Sequence, residues 1–249
     1  MNIISSLFRF SDTSDSIFSK NRKDTYKYSG LLLTIYISTV IITQVLAVRI
    51  TSLAGVILPG GIFIFPLTFV INAVAGEVYG YSEPKKFIWL GFLSEIMFAG
   101  VTYAVTHMSY PSYFKESQAY NIVLDPAFRY AFSSLIGIFV GEFINIYILS
   151  KMKILMQGKN FLLRFLISNA IGQLFLSFIV DILIFFGKIT VAQFFKIAFD
   201  GYFWKVMIAI IISFPMWYMI KWLKRSEKVD VYDYNTNYNP FSIRTMKTS

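Results

Sequence analysis

An all-α, polytopic membrane bundle of about six transmembrane helices is the architecture this sequence predicts. Three features carry that expectation. Hydrophobic residues make up 56% of the 249 and charged residues only 15%, too little polar surface to coat a water-soluble globule, in which about a quarter of residues are charged. The charges gather in short stretches separated by nearly uncharged runs of about 20 residues, the length a helix needs to cross roughly 30 Å of hydrocarbon. The basic residues are distributed unevenly between alternate loops, as they are when one side is cytoplasmic.

Taken in chain order, residues 1–28 form a polar segment rich in Ser, Asp, Lys and Arg. It lacks the short hydrophobic core and small-residue cleavage site of a signal peptide, so the first apolar run reads as an uncleaved anchor. Span one is Ser29 to Val48, free of charge and flanked by Arg22, Lys23, Lys27 and Arg49. Span two, about Val56 to Val78, is interrupted by Pro59, Gly60, Gly61 and Pro66. A backbone broken at membrane depth is tolerated where protein or a wet cavity satisfies it, and such breaks often mark binding sites. The competing reading makes Pro59-Gly60-Gly61 the outer loop.

Span three runs from about Phe87 to Thr106, followed by the longest outer loop, His107 to Pro126, with tyrosines suited to a membrane interface. Span four is Tyr130 to Ser150 and leads into Lys151, Lys153, Lys159 and Arg164 with no acid between them. Span five is Phe165 to Gly187 and span six about Tyr202 to Trp222. The expected organisation is thus a cytoplasmic segment 1–28, a six-span domain 29–222 and a cytoplasmic polar tail 223–249. With the amino end inside, only Arg49, Lys115, Arg129, Lys188, Lys196 and Lys205 fall toward the outer side, leaving 17 of the 23 Lys and Arg residues on the cytoplasmic side. The net charge of +9 therefore reads as retained basic loops, and nucleic acid is excluded as a partner.

A charge near the bilayer centre costs roughly 2.5–3.5 kcal/mol on insertion scales, so acids kept there are functional candidates. Glu77, Glu95, Glu142 and Asp181 qualify, with Arg129 and Lys205 as bases near the outer ends of spans four and six. Glu142 and Asn145 are three apart and share a helix face. Gly137 and Gly141 make a small-xxx-small pair that permits close helix approach. In span five, Asn169, Gln173, Ser177 and Asp181 recur every four residues and draw a polar stripe along an apolar helix. Gly141-Glu142-Phe143 and Gly172-Gln173-Leu174 hint at an internal repeat, although two such triplets also arise by chance.

Catalysis is poorly supported. His107 is the only histidine and Asp181 the only aspartate deep in a span, so a multi-histidine metal site, a Ser-His-Asp triad and an intramembrane aspartyl pair all lack their parts. No enzyme activity, cofactor or metal is expected. The absence of GxxxxGK[ST] argues against an internal P-loop motor.

Three sets of residues stand out together: Phe65-Pro66-Leu67-Thr68-Phe69 followed by Glu77-Val78-Tyr79-Gly80-Tyr81; Arg129, Gly141, Arg164, Gly172-Gln173 and Lys205 in that order; and Asp230-Val231-Tyr232-Asp233 with Tyr238-Asn239-Pro240-Phe241. They resemble, in turn, the span-two signature, the order of polar and glycine positions and the ending of the queuosine precursor transporter family, also called the vitamin uptake transporter or VUT group. The resemblance implies uptake of a deazaguanine base across a bacterial inner membrane by a multi-pass carrier with both termini cytoplasmic. A guanine-like edge offers adjacent N–H donors that a carboxylate can accept. The substrate-binding residues expected on this basis are Glu142, Asn145, Gln173, Asn169, Glu77, Asn72, Arg129 and Lys205.

The chain departs from the family pattern at three places. Asn72-Ala73 stands where an Asp is usual, the usual Gly-Gln-x-x-Asp of span four reads Gly141-Glu142-Phe143-Ile144-Asn145, and the span-five pattern ends at Leu176. Asp181 lies about 140° around the helix and about 7.5 Å along it from that point, too far to be a direct replacement. Two rival functions are a substrate-binding subunit energised by a separate ATPase, for which span one lacks an Ala-xxx-Ala docking face, and a membrane enzyme acting on a lipid or base.

Overall fold

The computed structural model of the protein describes residues 26–47, 49–53, 56–185 and 190–242. All but the last three residues of the expected segment 1–28 lie outside this set. The described chain is almost wholly helical: α1 Ser29–Ala47, α2 Pro66–Tyr79, α3 Ser82–Thr106, α4 Ser117–Leu155, α5 Phe161–Phe185 and α6 Val191–Glu227. Six segments are long and apolar enough to cross a membrane, and their outward faces carry apolar side chains such as Leu31, Leu93, Met97, Phe132, Phe178 and Ile211. Such a belt is stable against lipid and costly against water. The protein is a multi-pass membrane helical bundle.

The segment Gly60–Tyr79 is the most buried of the six. Its broken start has a visible cause. Two short antiparallel strands, β1 Ile50–Leu53 and β2 Val56–Pro59, pair through Ile50 with Pro59 and Leu53 with Val56. They lead into a 3-10 turn, Gly60–Phe63, and α2 begins with Pro66 in its first turn, where a missing N–H costs nothing. Gly60 and Gly61 are buried against α1, and a Cβ on either would stand 3.0 Å from the carbonyl of Leu46 or Thr43. The break is therefore real and packed, while β2 takes the first residues expected of span two.

Two other boundaries differ from the expectation because counting apolar residues measures the bilayer and not the helix. The second half of the loop 107–126 is the start of α4, and α6 begins at Val191, well before Tyr202. There Thr190 and Gln193 form a capping box: Thr190 Oγ1 accepts from the Gln193 N–H at 3.3 Å, and the Gln193 side chain accepts from the Thr190 N–H at 3.0 Å.

The end of α6 extends to Glu227, and residues 230–242 of the polar tail are bound to the bundle. Val231 N–H donates to the Val78 carbonyl at 3.2 Å. Asp233 accepts from the Tyr81 N–H at 2.9 Å and from Ser150 Oγ at 2.7 Å. Trp89 Nε1 donates to the Pro240 carbonyl at 2.9 Å. This strap crosses the turn between α2 and α3, where Gly80 at φ +79 leaves no room for a Cβ beside Val231 and Asp233. We call this the tail end of the bundle and the opposite one the hairpin end.

Candidate functional site: a buried polar cluster between α2, α4 and α5

The most extensive helix pair in the bundle is α4 with α5, and glycines make it close. A Cβ on Gly141 would lie 2.7 Å from the Gly172 carbonyl and 2.6 Å from Leu176 Cβ; one on Gly172 would lie 2.6 Å from the Gly141 carbonyl and 2.9 Å from Asn145 Cβ. The contacts are reciprocal, since Leu176 follows Gly172 by four residues and Asn145 follows Gly141 by four. The two helices are antiparallel neighbours, so this reciprocity describes a local two-fold relation. It places Glu142 and Gln173, the residues after each glycine, in equivalent positions. The matching triplets in spans four and five thus have a geometric counterpart.

Around this crossing the bundle buries amides and an acid. Asn72 on α2, Glu142 and Asn145 on α4, and Asn169 and Gln173 on α5 are all fully buried. Asn72 Nδ2 donates to Glu142 Oε2 at 2.9 Å, and the Tyr36 hydroxyl of α1 donates to the same oxygen. Two donors occupy the two lone pairs of Oε2, whereas Glu142 Oε1 has no partner. Neither does Asn72 Oδ1, nor either polar atom of Asn145, Asn169 or Gln173. Each buried polar atom without a hydrogen bond costs roughly 1–3 kcal/mol, so stability alone would favour apolar side chains here. Five of the eight residues expected at the site from sequence carry these atoms.

Of the other three, Glu77 and Lys205 are placed differently. Glu77 sits at the tail end with both oxygens engaged: Arg164 Nη1 reaches Oε2 at 2.8 Å, Arg164 Nη2 reaches Oε1 at 3.2 Å, and Lys224 Nζ reaches Oε1 at 2.8 Å. Lys153 donates to the Glu77 carbonyl and to Asp230, each at 2.6 Å. Glu77 therefore belongs to an ion-paired closure that ties α2, α4, α5, α6 and the strap together, and its carboxylate is not free for a ligand. Arg164, counted above among the basic residues that follow span four, is completely buried in this pair. Lys205 lies toward the hairpin end, donating to Ser177 Oγ at 2.8 Å and within electrostatic reach of Asp181. The polar stripe of α5 is thereby divided: Asn169 and Gln173 face the cluster, whereas Ser177 and Asp181 meet α6. The side chain of Arg129 lies outside the described residues.

Tyr36 was not singled out from sequence. The signal was present, because Leu32, Tyr36, Val40 and Gln44 recur every four residues and all four are buried, which makes them the inward face of α1. A cavity of about 590 Å³ between the end of α3 and the start of α4, lined by Val101, Val105, Tyr110 and Phe114 among others, includes none of the cluster residues.

The family model described as "Putative vitamin uptake transporter" matches residues 59–220, which hold α2 to α5, most of α6 and the whole cluster. The chain belongs to that family. No curated protein and no solved structure matches it. Membership in the vitamin uptake transporter family assigns the bundle to transport of a small molecule, and the cluster lies within the matched region. Asn72 and Glu142, two of the positions at which the chain departs from the resembled pattern, are hydrogen-bonded neighbours.

Proposed function

We propose that the protein carries a small planar base, a deazaguanine precursor of queuosine, into the cell through the bundle, and that the cluster between α2, α4 and α5 is where it binds. The observation that supports this most is the set of eight buried hydrogen-bonding atoms without protein partners on Asn72, Glu142, Asn145, Asn169 and Gln173. A purine-like edge carries adjacent donors and acceptors, which amides of both polarities and one carboxylate can match. Because Glu142 Oε2 is already occupied by Tyr36 and Asn72, the carboxylate offers a single open oxygen. A guanine-like edge would place one N–H on Glu142 Oε1 and a second on a neighbouring amide oxygen. Phe69, whose ring edge meets the Gly172 position at 3.0 Å, supplies an aromatic wall. Lys205 rims the cluster on the hairpin side. The excess of basic residues at the tail end supports a cytoplasmic location for it, in a bacterial inner membrane.

A cell unable to make the precursor, given labelled cyano-deazaguanine, is expected to gain queuosine in its tRNA only when it expresses this gene. Intact label outside the cell with no gain in tRNA removes the substrate assignment.

A further inference from the structure

A second buried acid lies outside the cluster. Glu95 of α3 is 1% exposed, and its Oε1 accepts from Gln44 Nε2 of α1 and Ser134 Oγ of α4. Gln44 Nε2 also donates to Ser134 Oγ at 2.9 Å. Gln44 lies eight residues beyond Tyr36 on α1, and Ser134 lies eight before Glu142 on α4. By helical rise, the Glu95 triad is therefore about 12 Å toward the hairpin end from the Tyr36–Glu142 bond. Gly91, one turn before Glu95, has no side chain, and the Tyr36 ring takes that space. Tyr36 thus stands between the two acids: it donates to Glu142 and is within electrostatic reach of Glu95.

We propose that Glu95 is a proton site and that its proton is carried together with the substrate, so that uptake is driven by the proton gradient. This rests on reading the chain as a carrier.

The triad holds one carboxylate, one amide and one hydroxyl, short of the about six to eight oxygens that a calcium ion takes, and as placed Gln44 and Ser134 turn donors to Glu95. The coupling follows from Coulomb's law at low dielectric. Substrate N–H groups bind the ionised form of Glu142 better than the neutral form, because charge-assisted hydrogen bonds are about twice as strong as neutral ones. With the base bound and water excluded, the charge on Glu142 raises the cost of a second charge on Glu95, so Glu95 takes a proton from the outer side. Once the base has left toward the cytoplasm, water enters the emptied polar cluster and weakens that repulsion, Glu95 gives its proton up to the same side, and the carrier returns with both acids ionised, Glu142 on Tyr36 and Asn72 and Glu95 on Gln44 and Ser134. The groups facing Glu95 are Gln44 and Tyr36 from α1 and Ser134 and Glu142 from α4. From α2, Asn72 acts through its bond to Glu142.

The test uses wild type and Glu95→Gln in proteoliposomes with labelled cyano-deazaguanine. Exchange with substrate on both sides and no pH gradient reports whether this base is carried. Accumulation under an acid-outside gradient reports coupling. Wild type is expected to do both, and Glu95→Gln to retain exchange within about twofold while losing at least about tenfold in gradient-driven accumulation. Equal accumulation by the variant, or indifference of wild type to the gradient, overturns the proposal. Failure of wild type to exchange counts against the substrate alone. The proton site is then decided by acid–base infrared difference spectra of the purified protein, which should show a titrating carboxylic band that Glu95→Gln removes. Absence of such a band, or its survival in the variant, overturns the proposal. Should Glu95→Gln not fold, Ser134→Ala is expected to move the titration of that band, and an unmoved band has the same force.

Discussion

Two glutamates of this bundle, Glu77 and Glu142, are both buried but differ in what surrounds them. Glu77 has Arg164 and Lys224 on its oxygens, and removing one partner of such a buried pair costs about 3–5 kcal/mol. Glu142 keeps one oxygen open beside unpartnered amides. Glu77→Gln is therefore expected to lower the melting temperature and the folded yield. Glu142→Gln should leave both nearly unchanged and reduce uptake by at least about tenfold, the loss of roughly 1.5–3 kcal/mol from a charged hydrogen bond. Parallel thermal melts and uptake assays separate the two, and a Glu142→Gln carrier with normal uptake excludes that residue from the site. Sequence spacing identified both acids but could not distinguish them, since Arg164 lies 87 positions from Glu77 and Glu142 is 70 from Asn72.

At the level of elements, the α4–α5 crossing depends on two glycines. Gly172→Ala would bring a Cβ within 2.6 Å of the Gly141 carbonyl and 3.0 Å of the Phe69 ring, an overpacking expected to cost about 1–3 kcal/mol. Gly100→Ala, with nothing within 4 Å, is the matched control and should be neutral or stabilising in a detergent melt. If the two behave alike, the close crossing is not what holds these helices. The strap has its own test. Burial alone would raise the Asp230 carboxyl, but hydrogen bonds from Lys153 and Lys224 outweigh it and hold the group below its ordinary 3.8. A carboxyl lowered in the native state adds stability that is present above its unfolded value, about pH 4, and is lost as pH falls through the lowered value. Asp230→Asn should lower the melting temperature at neutral pH and converge with wild type in acid. A constant difference across that range removes the linkage. The small-residue spacing at Gly137 and Gly141 was legible in the sequence. The strap was not, because its polar composition is also that of a free tail.

For the whole molecule, the proposed orientation rests on charge, and the chain offers a clean assay because it has no cysteine. Single cysteines placed at the exposed positions Ser112 and Asn235 should react with an impermeant thiol reagent from opposite sides: Ser112→Cys in intact cells, Asn235→Cys only after the membrane is opened. The reverse pattern would invert the carrier and, with it, the direction from which Glu95 receives its proton. Along the bundle axis the polar groups form three levels: the Glu95 triad toward the hairpin end, the cluster around Glu142 in the middle and the Glu77 closure at the tail end. A closed level below an unpartnered one is suited to a carrier that opens to one side at a time.

Composition and charge spacing by themselves determined the membrane class and the number of spans, and polar residues inside apolar spans pointed to Glu142, Asn145, Asn169 and Gln173, whereas Asn72 entered only through the family resemblance. Each of these follows from one-dimensional facts: helix length against bilayer thickness, and the cost of polar atoms in hydrocarbon. Only the tertiary structure decided which polar residues have partners. Pairing is set by contacts between helices far apart in the chain, so it assigned Glu77 to the closure, left Asn169 and Gln173 facing Glu142's neighbourhood and brought Tyr36 from span one between two acids. Within the six spans, separation along the sequence carries no information about who satisfies whom.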